Sequence, residues 1–505
     1  MTKNVLEWLE ITAESMKDKV AYIEQNGESY TFLQVLDKAR RVGSALKDIK
    51  DTTPIAVVSG RHIHTITAFL GVVYSGHAYA PIDGKLPKSR LEAIFSLLNP
   101  KVVIVDSENY DNISQLIDSL GKNDTKIVHY EDAVEASINA DYLNDVRERM
   151  VATDPLYVIF TSGSSGRPKG VMTSHQSLMY YIDSYNEVMN ICSEDRLGNQ
   201  SPLDYIAAIR DIYLPLLTGC TSVIIPTEYF MQPQMLFDYM NEHRISAVGW
   251  SVSALTIISN LKGFEYAKPN YLKTVCFSGS VMPGSCINEW QRNCPDTKFV
   301  NQYGPTEATA SCTYYEIDHL IEDNEVLPIG KEYTHYRVVL CNEDLTYTAR
   351  GEIGQICVMG PILALGYYND PERTKQSFTD NPNNTSYTEK MYLTGDYGRI
   401  REDGLLEFHG RMDRQIKHMG HRVELDEIDS VLLKNDLIDE CISLYDPIKE
   451  KICLFYSGKA RKKDVILMIR EELPDYMVPR KCTLLEELPK LPNGKIDMST
   501  LKEMI

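Results

Sequence analysis

A chain of 505 residues, 43% hydrophobic and 24% charged, has the composition of a globular protein with room for one large α/β body and a smaller one. Its formal net charge of -19 argues against a nucleic-acid surface, which needs clustered Lys and Arg. The 11 cysteines are scattered without a C-x-x-C pair or a Cys/His cluster at zinc spacing, the charged N-terminus lacks a signal-peptide apolar stretch, and no run approaches the ~18 apolar residues of a membrane span, so reduced thiols and a cytoplasmic location are expected.

Pro54–Gly60 (PIAVVSG) predicts a buried strand bounded by turn residues. Arg61–Tyr74 then predicts a helix with Ile63, Ile66, Leu70 and Val73 on one face. Ser75–Asp83 reads as a turn-rich connection, and Lys101–Asp106 (KVVIVD) as the next strand. This alternation implies a parallel sheet with helical crossovers.

Tyr157–Lys169 (YVIFTSGSSGRPK) puts four apolar residues directly before a Gly/Ser loop. A buried strand running into such a loop presents backbone N–H groups and hydroxyls with little steric cover, which suits phosphate oxygens. The usual P-loop pattern G-x-x-x-x-G-K-[ST] does not fit these residues. A flexible linker is also rich in Gly and Ser, but it does not follow an apolar strand or end in Pro-Lys-Gly.

Thr221–Ile225, Ser246–Val252, Thr274–Phe277 and Lys298–Val300 predict further strands, and Met235–His243 a helix. Two of the strands run into polar residues and Gly: Ser278-Gly279, and Asn301 through Glu307 (NQYGPTE). Ligands of open α/β sheets sit beyond the carboxyl ends of the strands, so these ends and the one at Thr161 are expected to line one cleft. From about Pro328 the short runs Arg337–Cys341, Glu352–Met359 and Leu405–His409 predict a small antiparallel or barrel-like unit. Beyond Asp413, a helix marked by Leu425, Ile428, Val431 and Leu432 and a strand at Lys451–Tyr456 predict a compact α+β tail.

The segments AFLGVVYSGHAYAPID, YVIFTSGSSGRPKGVMTSHQSL, NQYGPTEATA, MYLTGDYGRI, GRMDRQIKHMGHRVELDEID and LPNGKID stand in the order and spacing of the adenylate-forming superfamily. The chain resembles that superfamily over most of its length, and is similar in detail to free-standing carrier-protein ligases such as the D-alanine–carrier ligases. The resemblance implies a large N-terminal domain over 1–412, made of parallel-sheet subdomains plus a small β-barrel. It also implies a small mobile α+β domain over 413–505, with Asp413 as hinge.

The activity it implies is ATP-dependent adenylation of a carboxylic acid, with ATP and Mg²⁺ required. The nucleotide would be bound by Thr161, Ser162, Gly163, Ser164 and Lys169, and by Asn301, Gln302, Tyr303, Gly304, Pro305 and Thr306. Glu307 is the metal ligand, Tyr303 lies against the adenine, Asp396 takes the ribose hydroxyls with Arg411 nearby, and Lys495 bridges carboxylate and phosphate. Thr161, Glu307, Asp413 and Lys495 thus carry the catalytic roles. Alone, Thr394-Gly395-Asp396 reads as a turn, Pro492-Asn493-Gly494-Lys495 as a solvated turn, and Gly304-Pro305-Thr306-Glu307 as a helix start. Only the joint pattern overrides these readings.

The acid pocket departs from the pattern. Aligned without gaps on Pro215–Gly219, the position where α-amino-acid enzymes carry an amine-binding Asp is Ile206, and a two-residue slip brings Asp204 there instead. The remaining lining is Ala207, Arg210, Gly249, Cys276, Ser278, Gln302, Ala310 and Ser311, with Tyr205 against the substrate carboxylate. Arg210 either meets a second carboxylate or polar tail or, as favoured here, pairs with Asp211 or Asp204.

The expected function is adenylation of a small carboxylic acid, an amino acid if Asp204 serves, followed by transfer to the phosphopantetheine thiol of a separate carrier protein. The sequence ends ten residues after Lys495 without a carrier segment of its own. An acyl- or aryl-CoA ligase, a carrier ligase for an acid lacking an α-amine, and an inactive nucleotide-binding scaffold are the alternatives. No nucleic-acid or membrane partner is expected.

Overall fold

The computed structural model describes residues 2–122, 124–163, 167–322, 325–411, 414–447, 449–490 and 496–505. The chain divides into two compact units. The larger comprises Met1–Gly84, Leu98–Phe160 and Gly170–Met412, and the smaller Lys85–Leu97, Thr161–Lys169 and Asp413–Ile505.

The larger unit is α/β. A nine-stranded sheet has a parallel centre in which Lys298–Tyr303, Thr274–Ser278, Ala247–Ser251, Arg196–Asn199, Thr221–Ile224 and Val20–Ile23 lie side by side. Thr313–Ile317 and then Lys331–Glu332 extend one side and Ser29–Thr31 ends the other, all antiparallel. A seven-stranded sheet is built around Pro155–Thr161, Tyr79–Ile82, Ile55–Val58, Val102–Val105 and Lys126–His129, paired in parallel. Ile55–Val58 (IAVV) and Val102–Val105 (VVIV) are buried at every residue, as expected of strands covered on both faces. Helices start on residues the sequence supplies for it: Thr31 and Gln34 form a capping box for Phe32–Ala45, and Ser174 accepts from Ser177 N ahead of His175–Met189.

Two segments differ from the sequence reading. Ser75–Asp83 is not merely a connection, because Tyr79–Ile82 is a fully buried strand between Ile55–Val58 and Pro155–Thr161. Pro81 is tolerated because the ladder to Pro155–Thr161 pairs only Tyr79 with Tyr157 and ends before it. The strand expected to end at Val300 continues through Asn301, Gln302 and Tyr303, paired with Tyr315, Tyr314 and Thr313.

A third sheet of the larger unit is antiparallel. Arg337–Cys341, Ile353–Met359 and Lys390–Ile400 follow one another. The long strand Lys390–Ile400 pairs with Phe378–Asp380 along one half and with Leu406–Arg411 along the other.

The smaller unit is α+β. Ile438–Asp446, Lys451–Gly458 and Lys481–Leu484 form a three-stranded sheet, beside the hairpin Gln415–His418/His421–Glu424. Helix Leu425–Leu432 packs Leu425, Ile428 and Leu432 against Ile452, Leu454 and Tyr456 of that sheet. Among the described residues, no helix is long and apolar enough to cross a membrane.

Candidate active site

Within the larger unit, Tyr303, Asp396 and Arg411 form a hydrogen-bonded polar group. Asp396 is in the third sheet, directly opposite Arg411, where the pairing of Lys390–Ile400 with Leu406–Arg411 shifts register between Asp396 and Gly398. Such a bulge re-aims a side chain. Arg411 Nη1 donates to Asp396 Oδ1, and the Tyr303 hydroxyl donates to Oδ2 at 2.5 Å. Thr394 Oγ1 accepts from the Asp396 N–H at 3.0 Å and donates to Ile356 O at 2.7 Å, tying the turn down. Burial and the adjacent Asp396 charge hold the Tyr303 phenol well above its ordinary range, so it remains a donor.

Gly304 to Glu307 follow. A Cβ on Gly304 would meet Ala310 O and Cys312 N at 2.8 Å and would fall on Ser311 Cα, so this close backbone approach requires glycine. Asn301 donates to Pro328 O at 2.8 Å. Thr306 and Glu307 lie in the short 3₁₀ turn Thr306–Ala308 that Pro305 precedes, and the Glu307 side chain is wholly buried. Tyr367 Oη donates to Glu307 Oε1 at 2.8 Å, and Glu307 O accepts from Ala364 N at 2.9 Å. After the turn, Thr309 (φ 47°) and Ala310 (φ 74°) occupy the left-handed region, a strained conformation for a β-branched residue and an alanine. Thr309 Oγ1 holds its turn by donating to Ile362 O at 2.6 Å.

A lone carboxylate suits Mg²⁺, which takes one or two carboxylates and completes its shell with water and phosphate oxygens. Among the described residues no group of three or more His, Cys, Asp or Glu could hold a metal. Glu307 could supply one such carboxylate.

Four of the residues expected to line the acid pocket, Ala207, Gly249, Cys276 and Gln302, bond to Arg210, which is 2% exposed. Its Nε donates to Ala207 O at 3.2 Å, Nη1 to Gln302 Oε1 at 3.0 Å and Cys276 Sγ at 3.4 Å, and Nη2 to Gly249 O at 3.3 Å. Gln302 Nε2 donates to Tyr333 Oη at 2.8 Å, which fixes the amide with its oxygen toward Arg210. The guanidinium carbon lies 5.6 Å from the Tyr185 ring centre. The expected salt bridge is not formed: the contacts of Arg210 are neutral acceptors, and Asp211 instead accepts from Asn199 Nδ2 at 2.8 Å. Asn199 also accepts from Arg61, which draws that carboxylate into a separate network.

Ile206 is buried in the main hydrophobic core, one residue after half-buried Tyr205. Asp204 is half-buried, and burial together with the charge of Asp83 pushes its carboxyl up to about 7. Ser278 ends its strand half-buried, and Ala310 lies beside Ser311, whose Oγ is 3.1 Å from Tyr181 Oη. The strand ends at Ser278 and Tyr303 belong to neighbouring strands of one sheet, whereas Thr161 ends a strand of the other.

In the smaller unit, Thr161 Oγ1 is buried without a hydrogen-bond partner. Ser162 Oγ donates to Arg422 O at 2.7 Å, and Lys169 is buried at the start of Lys169–Ser174. Gly163 is described, whereas Ser164, Asp413 and Lys495 lie outside the described residues.

Tyr367, Thr394, Tyr333 and Tyr185 were not singled out by the sequence reading. Tyr367 stands in a Gly-Tyr-Tyr-Asn-Asp stretch that reads as a turn, Thr394 in the Thr-Gly-Asp turn where only Asp396 drew attention, and Tyr333 and Tyr185 in segments without a motif.

Residues 9–368 match the model of the AMP-binding enzymes, and residues 427–495 that of the AMP-binding enzyme C-terminal domain. D-alanine–D-alanyl carrier protein ligase of Bacillus cytotoxicus is 29% identical, over 98% of this chain and 98% of its own length. Tyrocidine synthase 1 of Brevibacillus parabrevis is 28% identical over 99% of this chain, which spans only 45% of that protein. Among solved structures, the Vibrio cholerae adenylation domain AlmE in complex with glycyl-adenosine-5′-phosphate superposes with a TM-score of 0.84 at 19% identity, covering 100% of this chain and 98% of that one. Amide bond synthetase McbA from Marinactinospora thermotolerans gives a TM-score of 0.86 at 19% identity, covering 98% and 99%, and both likenesses show the fold. The chain belongs to the AMP-binding enzymes, the ATP-dependent adenylate-forming ligases.

Proposed function

We propose that this enzyme adenylates a small carboxylic acid, an amino acid, and then loads it onto the phosphopantetheine thiol of a separate carrier protein in the cytoplasm. In the first step an oxygen of the acid attacks the α-phosphorus of ATP, the bond to the β-phosphate breaks, and pyrophosphate leaves. In the second the thiol sulfur attacks the acyl carbon, AMP leaves with the electron pair of the mixed anhydride, and the thiol proton passes to solvent.

The observation that carries this reading is the pair of donors on Asp396. A carboxylate has about four acceptor positions. Tyr303 and Arg411 each take one and fix its orientation, which leaves positions for the two ribose hydroxyls. The Tyr303 ring then serves as a wall for the adenine. Thr161, with its buried hydroxyl unpartnered, is assigned to phosphate oxygens along with Gly163, Ser164 and Lys169. Ser162 contributes its backbone N–H, since its hydroxyl is engaged by Arg422 O.

Glu307, held by Tyr367, would bind Mg²⁺, which when present offsets charge on the phosphates. Lys495 is assigned to the forming phosphate–carboxylate bond and Asp413 to the hinge between the domains 1–412 and 413–505. Asp204 is assigned to the substrate ammonium: Ile206 cannot balance a charge, and the Asp204 carboxyl titrates at about 7.

The test is ATP–pyrophosphate exchange over a panel of amino, hydroxy and aryl acids, followed by loading of a phosphopantetheinylated carrier or of coenzyme A. Exchange with an amino acid and loading of the carrier uphold the proposal. Loading of coenzyme A alone transfers the enzyme to the acyl-CoA ligases, and no exchange with any acid removes the adenylation reading.

A further inference from the structure

Arg210 is a buried cation whose hydrogen-bond partners carry no charge. Its hydrogen-bond partners are two backbone carbonyls, an amide oxygen and a sulfur. The sulfur does not supply a charge: burial pushes the Cys276 thiol up, so it stays protonated at neutral pH. The phenols of Tyr181 and Tyr185 are likewise raised by burial and remain neutral. Asp211, pushed up to about 6 by burial, acts on Arg210 only through space, and its carboxylate bonds to Asn199 in the network shared with Arg61. A buried charge without a partner is strongly destabilising, and a chain that keeps one in a proposed ligand pocket gains when a ligand brings the counter-charge.

The donor geometry agrees. Of the five guanidinium N–H groups, three are anchored on oxygens of Ala207, Gln302 and Gly249. A fourth rests on the Cys276 sulfur at 3.4 Å, a weak acceptor, and the fifth, on Nη2, has no acceptor among these contacts. One weakly held donor therefore remains on each terminal nitrogen, and a carboxylate offers an acceptor oxygen for each. The plane of the guanidinium is set in advance by the three anchors and by the Gln302–Tyr333 bond. Gly249 is part of the same construction: a Cβ there would meet Arg210 Cζ at 3.2 Å and Nε at 3.3 Å.

We infer that the acid activated by this enzyme carries a second carboxylate, at the end remote from the reacting one, which Arg210 receives. The substrate class is thus an acidic amino acid or another short dicarboxylic acid. This rests on the proposed assignment of Arg210, Gly249, Cys276 and Gln302 to the acid pocket.

The experiment is ATP–pyrophosphate exchange by the full chain with both enantiomers of aspartate and glutamate and with succinate, set against asparagine, glutamine, glycine and alanine. A kcat/KM at least about a hundredfold higher for one dicarboxylic acid than for its amide is expected, since a site built to pair a polar group discriminates strongly against its loss. Arg210→Gln, confirmed folded by circular dichroism, is expected to erase or reverse that preference. If the variant does not fold, the wild-type panel and the thermal shift produced by glutamate and aspartate against their amides decide alone. Preference for glycine, alanine or an amide overturns the inference while leaving adenylation in place. No exchange with any acid overturns the adenylation reading itself and the inference with it.

Discussion

The phenolic hydroxyl of Tyr303, at the end of a strand of the nine-stranded sheet, donates to Oδ2 of Asp396 in the antiparallel sheet, while Arg411 holds the other oxygen. One carboxylate therefore fastens two sheets and orients the assigned ribose site. Asp396→Asn removes the counter-charge of Arg411 and one acceptor of Tyr303. It is expected to cost about 2 kcal/mol in denaturant unfolding and to weaken AMP binding at least tenfold by calorimetry. Tyr303→Phe keeps the ring and loses one bond, so a cost of about 1 kcal/mol is expected, with a smaller loss of AMP affinity. Equal effects of the two variants would show that Asp396 does not receive the ribose.

Asp204 is expected to make both stability and, if it receives the substrate ammonium as proposed, substrate affinity depend on pH. An unfolded aspartate titrates at about 3.9, whereas in the folded chain burial and Asp83 raise Asp204 to about 7. The folded state holds the proton longer, so this contribution to stability is complete below about pH 4 and is lost as pH climbs through about 7. Asp211, raised to about 6, acts in the same direction, so Asp204→Asn should make the decline shallower without abolishing it. The ionised form binds an ammonium, and the KM of the amino acid should accordingly fall between pH 6 and 8 in the wild type. In Asp204→Asn it should be about ten- to hundredfold higher and flat. An unchanged KM in this variant, with a large effect of Ile206→Asp, would instead indicate an acid without an α-amine.

Lys495→Ala should leave the melting temperature and ATP binding near those of the wild type while lowering pyrophosphate exchange by roughly 10²–10³, the usual loss for one charge-stabilising donor. Exchange at the wild-type rate would remove Lys495 from the adenylation step.

Asp413→Pro fixes one backbone angle near about −65° and should separate the half-reactions, with exchange retained and carrier loading lost if the adenylating pose is the one fixed. Loss or retention of both together would remove the hinge.

Gly304→Ala should lower the melting temperature and nucleotide affinity together, because its Cβ meets backbone atoms of Ala310 and Cys312 that cannot rotate away. Retention of both would show that the 304–312 turn yields.

Strands with β-branched, wholly buried runs were legible in the sequence, as at Ile55–Val58, because sheet burial and composition agree there. Tyr79–Ile82 was not, since Gly76, His77 and Pro81 signal a turn and only the neighbouring strands make it a strand. Asn301–Tyr303 was misread for a related reason. Polar residues can continue a strand when Pro328 O, Tyr333 and Arg210 satisfy their side chains, and those partners are distant in sequence. Asp396, Arg411 and Glu307 could be singled out by their motifs, but the Tyr303 and Tyr367 bonds that orient Asp396 and Glu307 could not. Arg210 shows the limit of reasoning from chain neighbours: Asp211 is adjacent in sequence, yet a helix points consecutive side chains apart, and the two enter different networks.

The missing side chain at Gly249 also constrains the order in which this pocket can change. With Arg210 in place, an added carbon at 249 lies 3.2 Å from both the guanidinium carbon and Cys276 Sγ, so these groups must give by a few tenths of an ångström. With a shorter residue at 210, the same carbon fills vacated space. Gly249→Ala is therefore expected to be harmful in the wild type and neutral or helpful after Arg210→Leu, a reversal of sign that a double-mutant cycle reads directly. A lineage that abandons the inferred specificity is therefore expected to change position 210 before position 249.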